Sequence, residues 1–211
     1  MRSGTVAFCA LLALVVTACG SSTGSGEPNP SESGTSTGST STQAARPTLT
    51  DPKLQPPSQD NRYTQSTGRP QVVFDPCTWI SDADIESVGY RPKSRKRGPD
   101  LVAEYTFLTC TFDNPDRTIS LGLDSGNITW EENLQKNGSW LQPTTVNGRL
   151  AGTGTGAPGT QGECHVQMQT KAGTVLLWTS VQSLGQGKNL DPCANIMDIA
   201  SVVEKSIGTE N

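Results

Sequence analysis

The sequence predicts an α+β domain: an antiparallel sheet with helices packed on one face, closed by two disulfides. Three observations predict it. The tripeptide Asp-Pro-Cys occurs twice, as Asp75-Pro76-Cys77 and Asp191-Pro192-Cys193, each time ahead of a run with helical spacing. Between the two lie segments that alternate apolar and polar residues with the period of a strand and are separated by turn residues. The cysteines of this stretch, Cys77, Cys110, Cys164 and Cys193, are even in number and spread over both kinds of segment.

The 211 residues fall into three parts: 1–18, 19–70 and 71–211. The first has the layout of a secretory signal. Arg2 precedes an apolar run from Val6 to Val16, too short for a bilayer span of about 20 residues but right for the core of a signal peptide. The run ends in Val16-Thr17-Ala18-Cys19, which resembles the bacterial lipobox. That resemblance implies that Cys19 becomes the amino terminus and carries a thioether-linked diacylglyceryl group. Two acyl chains anchor stably where one binds only reversibly, at about 0.8 kcal/mol per buried methylene. The expected address is the extracytoplasmic face of a cell membrane.

Residues 19–70 are rich in Ser, Thr, Gly and Pro, and Leu49, Leu54 and Tyr63 are nearly their only large apolar side chains. No core can offset the entropy of ordering such a segment, so it is expected to be a disordered tether. A flexible chain of about 50 residues spans about 40 Å. The Ser/Thr density with Pro also fits an O-glycosylated stalk.

The domain proper, 71–211, opens at the first Asp-Pro-Cys. Asp as cap and Pro as first helical residue start a short helix carrying Trp79, Ile80, Ile85 and Val88, with Ser81 as a second cap and Gly89 as the stop. Residues 104–112 are β-branched and aromatic, turn at Asp113-Asn114-Pro115-Asp116, and return as an alternating strand through Leu123. Thr129-Trp130-Glu131-Glu132 reads as a capping box opening a short helix that ends near Asn137-Gly138. Cys164, Val166 and Met168 alternate, Lys171-Ala172-Gly173 turns, and the strand from Thr174 to Val181 returns. Cys193, Ile196, Met197, Ile199, Ala200, Val203 and Ile207 then recur at helical spacing from the second Asp-Pro start, and Gly208 closes the run.

Cys9 leaves with the signal and Cys19 takes lipid, so four cysteines remain in an oxidising compartment. Three connectivities are open. The simplest joins each helix start to its neighbouring strand, Cys77–Cys110 and Cys164–Cys193, at about 3–4 kcal/mol each in the chain-entropy model. No Cys-x-x-Cys or Cys-x-x-His pairing exists, so no metal is expected.

The lipobox, the Ser/Thr/Pro-rich tether, the two Asp-Pro-Cys motifs and the two strand cysteines together resemble the actinobacterial LprB/LprC-like lipoproteins, a family defined by a domain of unknown function. The resemblance covers about residues 72–208. It implies an envelope protein and brings no catalytic residue with it. A broader likeness to extracellular sensor domains makes an accessory or sensor module, acting through a membrane protein, the alternative.

Other features carry weaker signals. The formal net charge of −4 lacks the basic footprint that nucleic acid requires, so no nucleic-acid partner is expected. Arg91, Lys93, Arg95, Lys96 and Arg97 put five cations in seven residues. The plain reading is a solvated loop; the functional one is a contact for anionic lipid or wall polymer, at about 1 kcal/mol per cation. His165 is the only histidine, and no partner hydroxyl or carboxylate is identifiable by spacing. Gly152-Thr153-Gly154-Thr155-Gly156 lacks the Gly-Lys-Ser/Thr of a phosphate loop and reads as a loop able to serve as a lid. Trp130, Trp140 and Trp178 are first core residues and second the walls of a carbohydrate or lipid pocket. The expectation is a non-enzymatic envelope lipoprotein without cofactor, binding a lipid, a wall polymer or another protein. An envelope hydrolase ranks third.

Overall fold

A computed structural model describes residues 49–157 and 160–211. The signal segment, Cys19 and the tether as far as residue 48 lie outside the described residues, as do Pro158 and Gly159.

In chain order the elements are α1 (Arg62–Thr67), α2 (Pro76–Trp79), α3 (Asp82–Ser87), the short strands β1 (Lys96–Arg97) and β2 (Leu101–Val102), β3 (Thr106–Asp113), β4 (Ile119–Gly126), α4 (Trp130–Asn137), β5 (Gln142–Val146), β6 (Arg149–Gly154), β7 (Glu163–Gln169), β8 (Thr174–Val181) and α5 (Ile196–Ile207). The strands form one antiparallel sheet in the order β1-β3-β4-β8-β7-β6-β5, with β2 also on β3. Thus the hairpin β3–β4 and the four-stranded meander β5–β8 meet along β4 and β8, far apart in sequence. The fold is α+β, with the disulfides Cys77–Cys110 and Cys164–Cys193.

One face of this sheet is apolar because every second residue of its strands is. Leu108, Cys110, Phe112, Leu121, Leu123, Val166, Met168, Val175 and Leu177 share it, and all are buried. Phe74 and Ile80, on either side of α2, Ile85 of α3, and Ile199, Ala200, Val203 and Ile207 of α5 complete the same core. Each such large side chain contributes about 1.5–3 kcal/mol of burial. The far end of α5 is closed by Arg149: its guanidinium pairs with Glu204 and donates to the carbonyls of Gly208 and Asn211, both at 2.6 Å. A cation on the last carbonyls of a helix also meets the negative end of its dipole.

Three expectations change. The first Asp-Pro-Cys is as expected, with Asp75 capping α2 and Ser81 restarting the chain as α3. At the second, Asp191 accepts from the Cys193 amide at 2.8 Å, but the chain turns before α5 begins at Ile196 with Asn195 as its cap. Cys193 is tied to β7 there, and the Pro192 carbonyl accepts from the Thr179 hydroxyl at 2.6 Å; these ties and the bonds Ala194→Asp191 and Ile196→Cys193 tighten the turn. Residues 142–154, in part read as loop, form the hairpin β5–β6 around Asn147-Gly148, both with positive φ (50° and 88°).

The third change is at the start. Residues 49–70 belong to the folded unit rather than to a tether. The Leu49 amide donates to the Thr78 carbonyl, Leu54 packs against the core, and its carbonyl accepts from Arg97. Gln59 pairs with both backbone groups of Val72 at 2.8 Å, and Asn61 caps α1. Arg69 clamps Glu132 of α4 through two bonds of 2.7 and 2.8 Å while stacking over Tyr105. Composition counts apolar side chains; this strap is held mostly by hydrogen bonds and ions.

Candidate functional site

The other face of the sheet follows from the same registers, shifted by one residue. Reading across β4, β8, β7 and β6, one row is Gly122, Trp178, His165, Gly154. The next row is Asp124, Leu176, Gln167, Gly152, with Thr109 of β3 opposite Asp124. Glycines thus flank the large residues, and the space they leave is taken by aromatic rings. A Cβ on Gly122 would stand 2.1 Å from the indole carbons of Trp178, so that ring lies flat on the β4 backbone. A Cβ on Gly154 would stand 2.9 Å from a ring carbon of Trp140. Glycine within a strand marks such close approach, and an aromatic laid over it recovers the lost packing.

These rows floor a cleft of about 360 Å³ whose walls include Asn137 and Trp140 on one side and Ala157 and Thr160 on the other. α4 lies across this face: Asn133 donates to the Gln167 side chain at 2.6 Å and accepts from Asn137 at 2.9 Å. His165 Nε2 is 3.1 Å from Glu163, and its ring meets Trp140 edge-on at 5.3 Å. Burial pushes the Asp124 carboxyl above its usual range, against the Thr109 hydroxyl and the Trp178 indole N–H, which favour the ionised form. The cleft therefore combines flat apolar rings with acceptors and donors. Among the described residues, no lysine or arginine lines it.

Beside it, Trp130, Leu134, Leu141, Pro143 and Leu150 line a more apolar hollow of about 410 Å³. Of the three tryptophans singled out by sequence, two line the cleft and Trp130 this hollow. His165 stands in the cleft, next to Trp178 in register.

The basic run is dispersed by its partners. Arg95, with only 4% of its side chain exposed, pairs with Asp82 and covers Phe112; burial lowers its pKa. Arg97 bridges Asp75 and Asp100, and Arg91 reaches Asp113 at 3.8 Å. Lys93 and Lys96 stay exposed. Three of the five cations thus hold the first helices and the strap to β3, with carboxylates as far as 13 and 22 positions away in sequence meeting Arg95 and Arg97.

Asp124, Gln167 and Asn137 carried no motif. A signal for Asp124 exists: in Leu121-Gly122-Leu123-Asp124 the glycine and the carboxylate stand out of phase with the buried leucines. Among the described residues, no group of three or more His, Cys, Asp or Glu could hold a metal ion, and no helix is long and apolar enough to cross a membrane.

No curated protein and no solved structure matches the chain. Over residues 14–206 it matches the family described as "Protein of unknown function (DUF3558)", and it belongs to that family.

Proposed function

We propose that this DUF3558 protein is an extracytoplasmic lipoprotein, anchored through Cys19, whose domain is a binding module and not an enzyme, with the open-face cleft as its site. The lipobox after an apolar run supports the anchor, as does the likeness of the tether and the paired Asp-Pro-Cys motifs to LprB/LprC-like lipoproteins. The observation that carries the site is the double row of residues that places Trp178 and Trp140 on glycine floors beside Asp124, Gln167 and His165. Such a concave, partly aromatic surface with a few convergent polar groups is the common form of a ligand site. Binding is favoured over catalysis because His165 is held by Glu163 rather than by a hydroxyl or thiol, and the domain cysteines are tied in disulfides.

Two measurements test the reading. The full chain should partition with detergent and the Cys19→Ala chain with water; an unchanged partition would overturn the anchor. The Cys19→Ala chain should co-sediment with protein-free envelope fractions, and Trp178→Ala should abolish this; sedimentation indifferent to Trp178 would overturn the site. The accessory-module reading draws on the apolar hollow, where Leu134 and Leu150 are 40% and 51% exposed. It calls for a co-purifying membrane protein that is lost on Leu150→Asp.

A further inference from the structure

We propose that the cleft binds a sugar ring of a neutral or amino-bearing glycan, stacked on Trp178. This deepens the reading of the cleft as a ligand site and rests on it.

A pyranose presents an apolar face of C–H groups and a rim of hydroxyls, each both donor and acceptor. The cleft presents the complement. One face of the Trp178 indole is pressed on Gly122, and the ring lines the cleft, as a fixed platform rather than a swinging side chain. Trp140, set over Gly154 and braced edge-on by His165, forms a second apolar wall. Rigid aromatic rings offer contact area at low conformational cost.

The polar rim is paired to one side only. Gln167 is 3% exposed and lines the cleft; its carbonyl oxygen accepts from Asn133, and its amide nitrogen has no partner among the described residues. Asn137 gives its amide to Asn133, which leaves its carbonyl oxygen as an acceptor at the cleft. The Gln167 amide nitrogen is open to the cleft, so its two donors, like the Asn137 acceptor, are available to a ligand. A hydroxyl-bearing ligand pairs with these groups; an acyl chain does not, and would leave the Gln167 amide nitrogen and the Asn137 carbonyl oxygen desolvated and unpaired.

Charge narrows the class further. Among the described residues, Asp124, Glu163 and His165 are the titratable groups lining the cleft, and no lysine or arginine lines it. Phosphorylated sugars and uronates would meet carboxylates there. Neutral sugars meet none of this repulsion, and an amino group would gain from it. The volume of about 360 Å³ lies within the range of small-ligand clefts and admits a short saccharide.

The experiment titrates the full-length Cys19→Ala chain, by tryptophan fluorescence and calorimetry, with trimers of glucose, N-acetylglucosamine, glucosamine and galacturonate, and with choline. At least one neutral or amino trimer should bind saturably and perturb the fluorescence, while galacturonate does not. Trp178→Ala should weaken that binding about tenfold or more, and Trp130→Phe should leave it unchanged. If Trp178→Ala does not fold, judged by near-ultraviolet circular dichroism, Asn137→Ala at the rim carries the same test.

Preference for galacturonate or choline, turnover of any trimer, or no saturable binding up to about 10 mM would each overturn the assignment. In the last case the sedimentation assay separates the two failures. Envelope binding that still depends on Trp178 sinks the sugar and keeps the cleft. Loss of both sinks both.

Discussion

Residues 176, 177 and 178 are consecutive on β8, yet they serve opposite faces of one sheet. Leu177 is fully buried under α5 among Leu123 and Val166, whereas Leu176 and Trp178 floor the open cleft. The covers differ as well. α5 docks through Ile199, Ala200, Val203 and Ile207, all buried. α4 buries only Trp130 and Asn133 and is held by polar links: Asn133 to Gln167, and Arg69 to Glu132. A strand's twofold period thus lets one sequence build a face whose energy is volume and a face whose energy is direction.

The sharpest way to break this contrast is to truncate neighbours. Leu177→Ala should cost about 2–5 kcal/mol through lost burial and a cavity. Leu176→Ala, one residue away, should cost about 1 kcal/mol or less, since its side chain already faces open space. Urea unfolding of the two variants measures the difference, and equal costs would erase the distinction between the faces.

Gly122→Ala comes next. The new Cβ would occupy the plane of Trp178, so the indole must lift from the sheet or the strand must bend. We expect about 1–3 kcal/mol of destabilisation, with a shifted tryptophan emission maximum and weaker ligand binding. An unchanged emission spectrum would show that the ring does not rest on that glycine.

The smallest effect concerns acid. The hydrogen bonds from Arg69 and from the Thr129 backbone hold the Glu132 carboxyl down at about 2, against an ordinary value of 4.5. A lowered pKa means stability that is present above about 4.5 and lost as pH falls toward 2. Because the carboxylate is part-exposed, screening limits its worth to about 1 kcal/mol or less. Glu132→Gln should therefore be less stable than the parent at pH 7 and converge with it near pH 2. Amide exchange should show α4 loosening before α5 as the parent is acidified.

Much of this architecture was legible in the chain. The alternation of β3, β4, β7 and β8 and the capping box at Thr129 are local signals, and each disulfide joins an Asp-Pro-Cys motif to the nearer strand cysteine, 33 and 29 residues away. The hairpin β5–β6 was harder to see: β5 is an edge strand carrying Pro143, and β6 is interrupted by glycines, so neither shows an apolar period. Its Asn147-Gly148 turn was nonetheless in plain view. The cleft was visible only in pieces. Trp140, His165 and Trp178 stood out singly, but their convergence depends on the pairing of β4 with β8, a long-range register that no local pattern encodes. The partners of Arg95 and Arg97 were hidden for the same reason: a cluster of charge reads as solvent-facing until the fold brings carboxylates to it.

The strap at residues 49–70 gives the domain a graded response to pulling. Tension arriving at Leu49 loads the bond to the Thr78 carbonyl first, and then the grip of Arg97 on Leu54 and of Gln59 on Val72. These yield one after another, like a zipper opened from its end. Peeling stops at Cys77, because its disulfide to Cys110 passes the load covalently into β3 at the heart of the sheet. Residues 49–68 can thus pay out about 65 Å of extended chain before Arg69, clamped to Glu132 of α4, passes force to the wall of the cleft. The first disulfide is a mechanical stop as much as a thermodynamic staple.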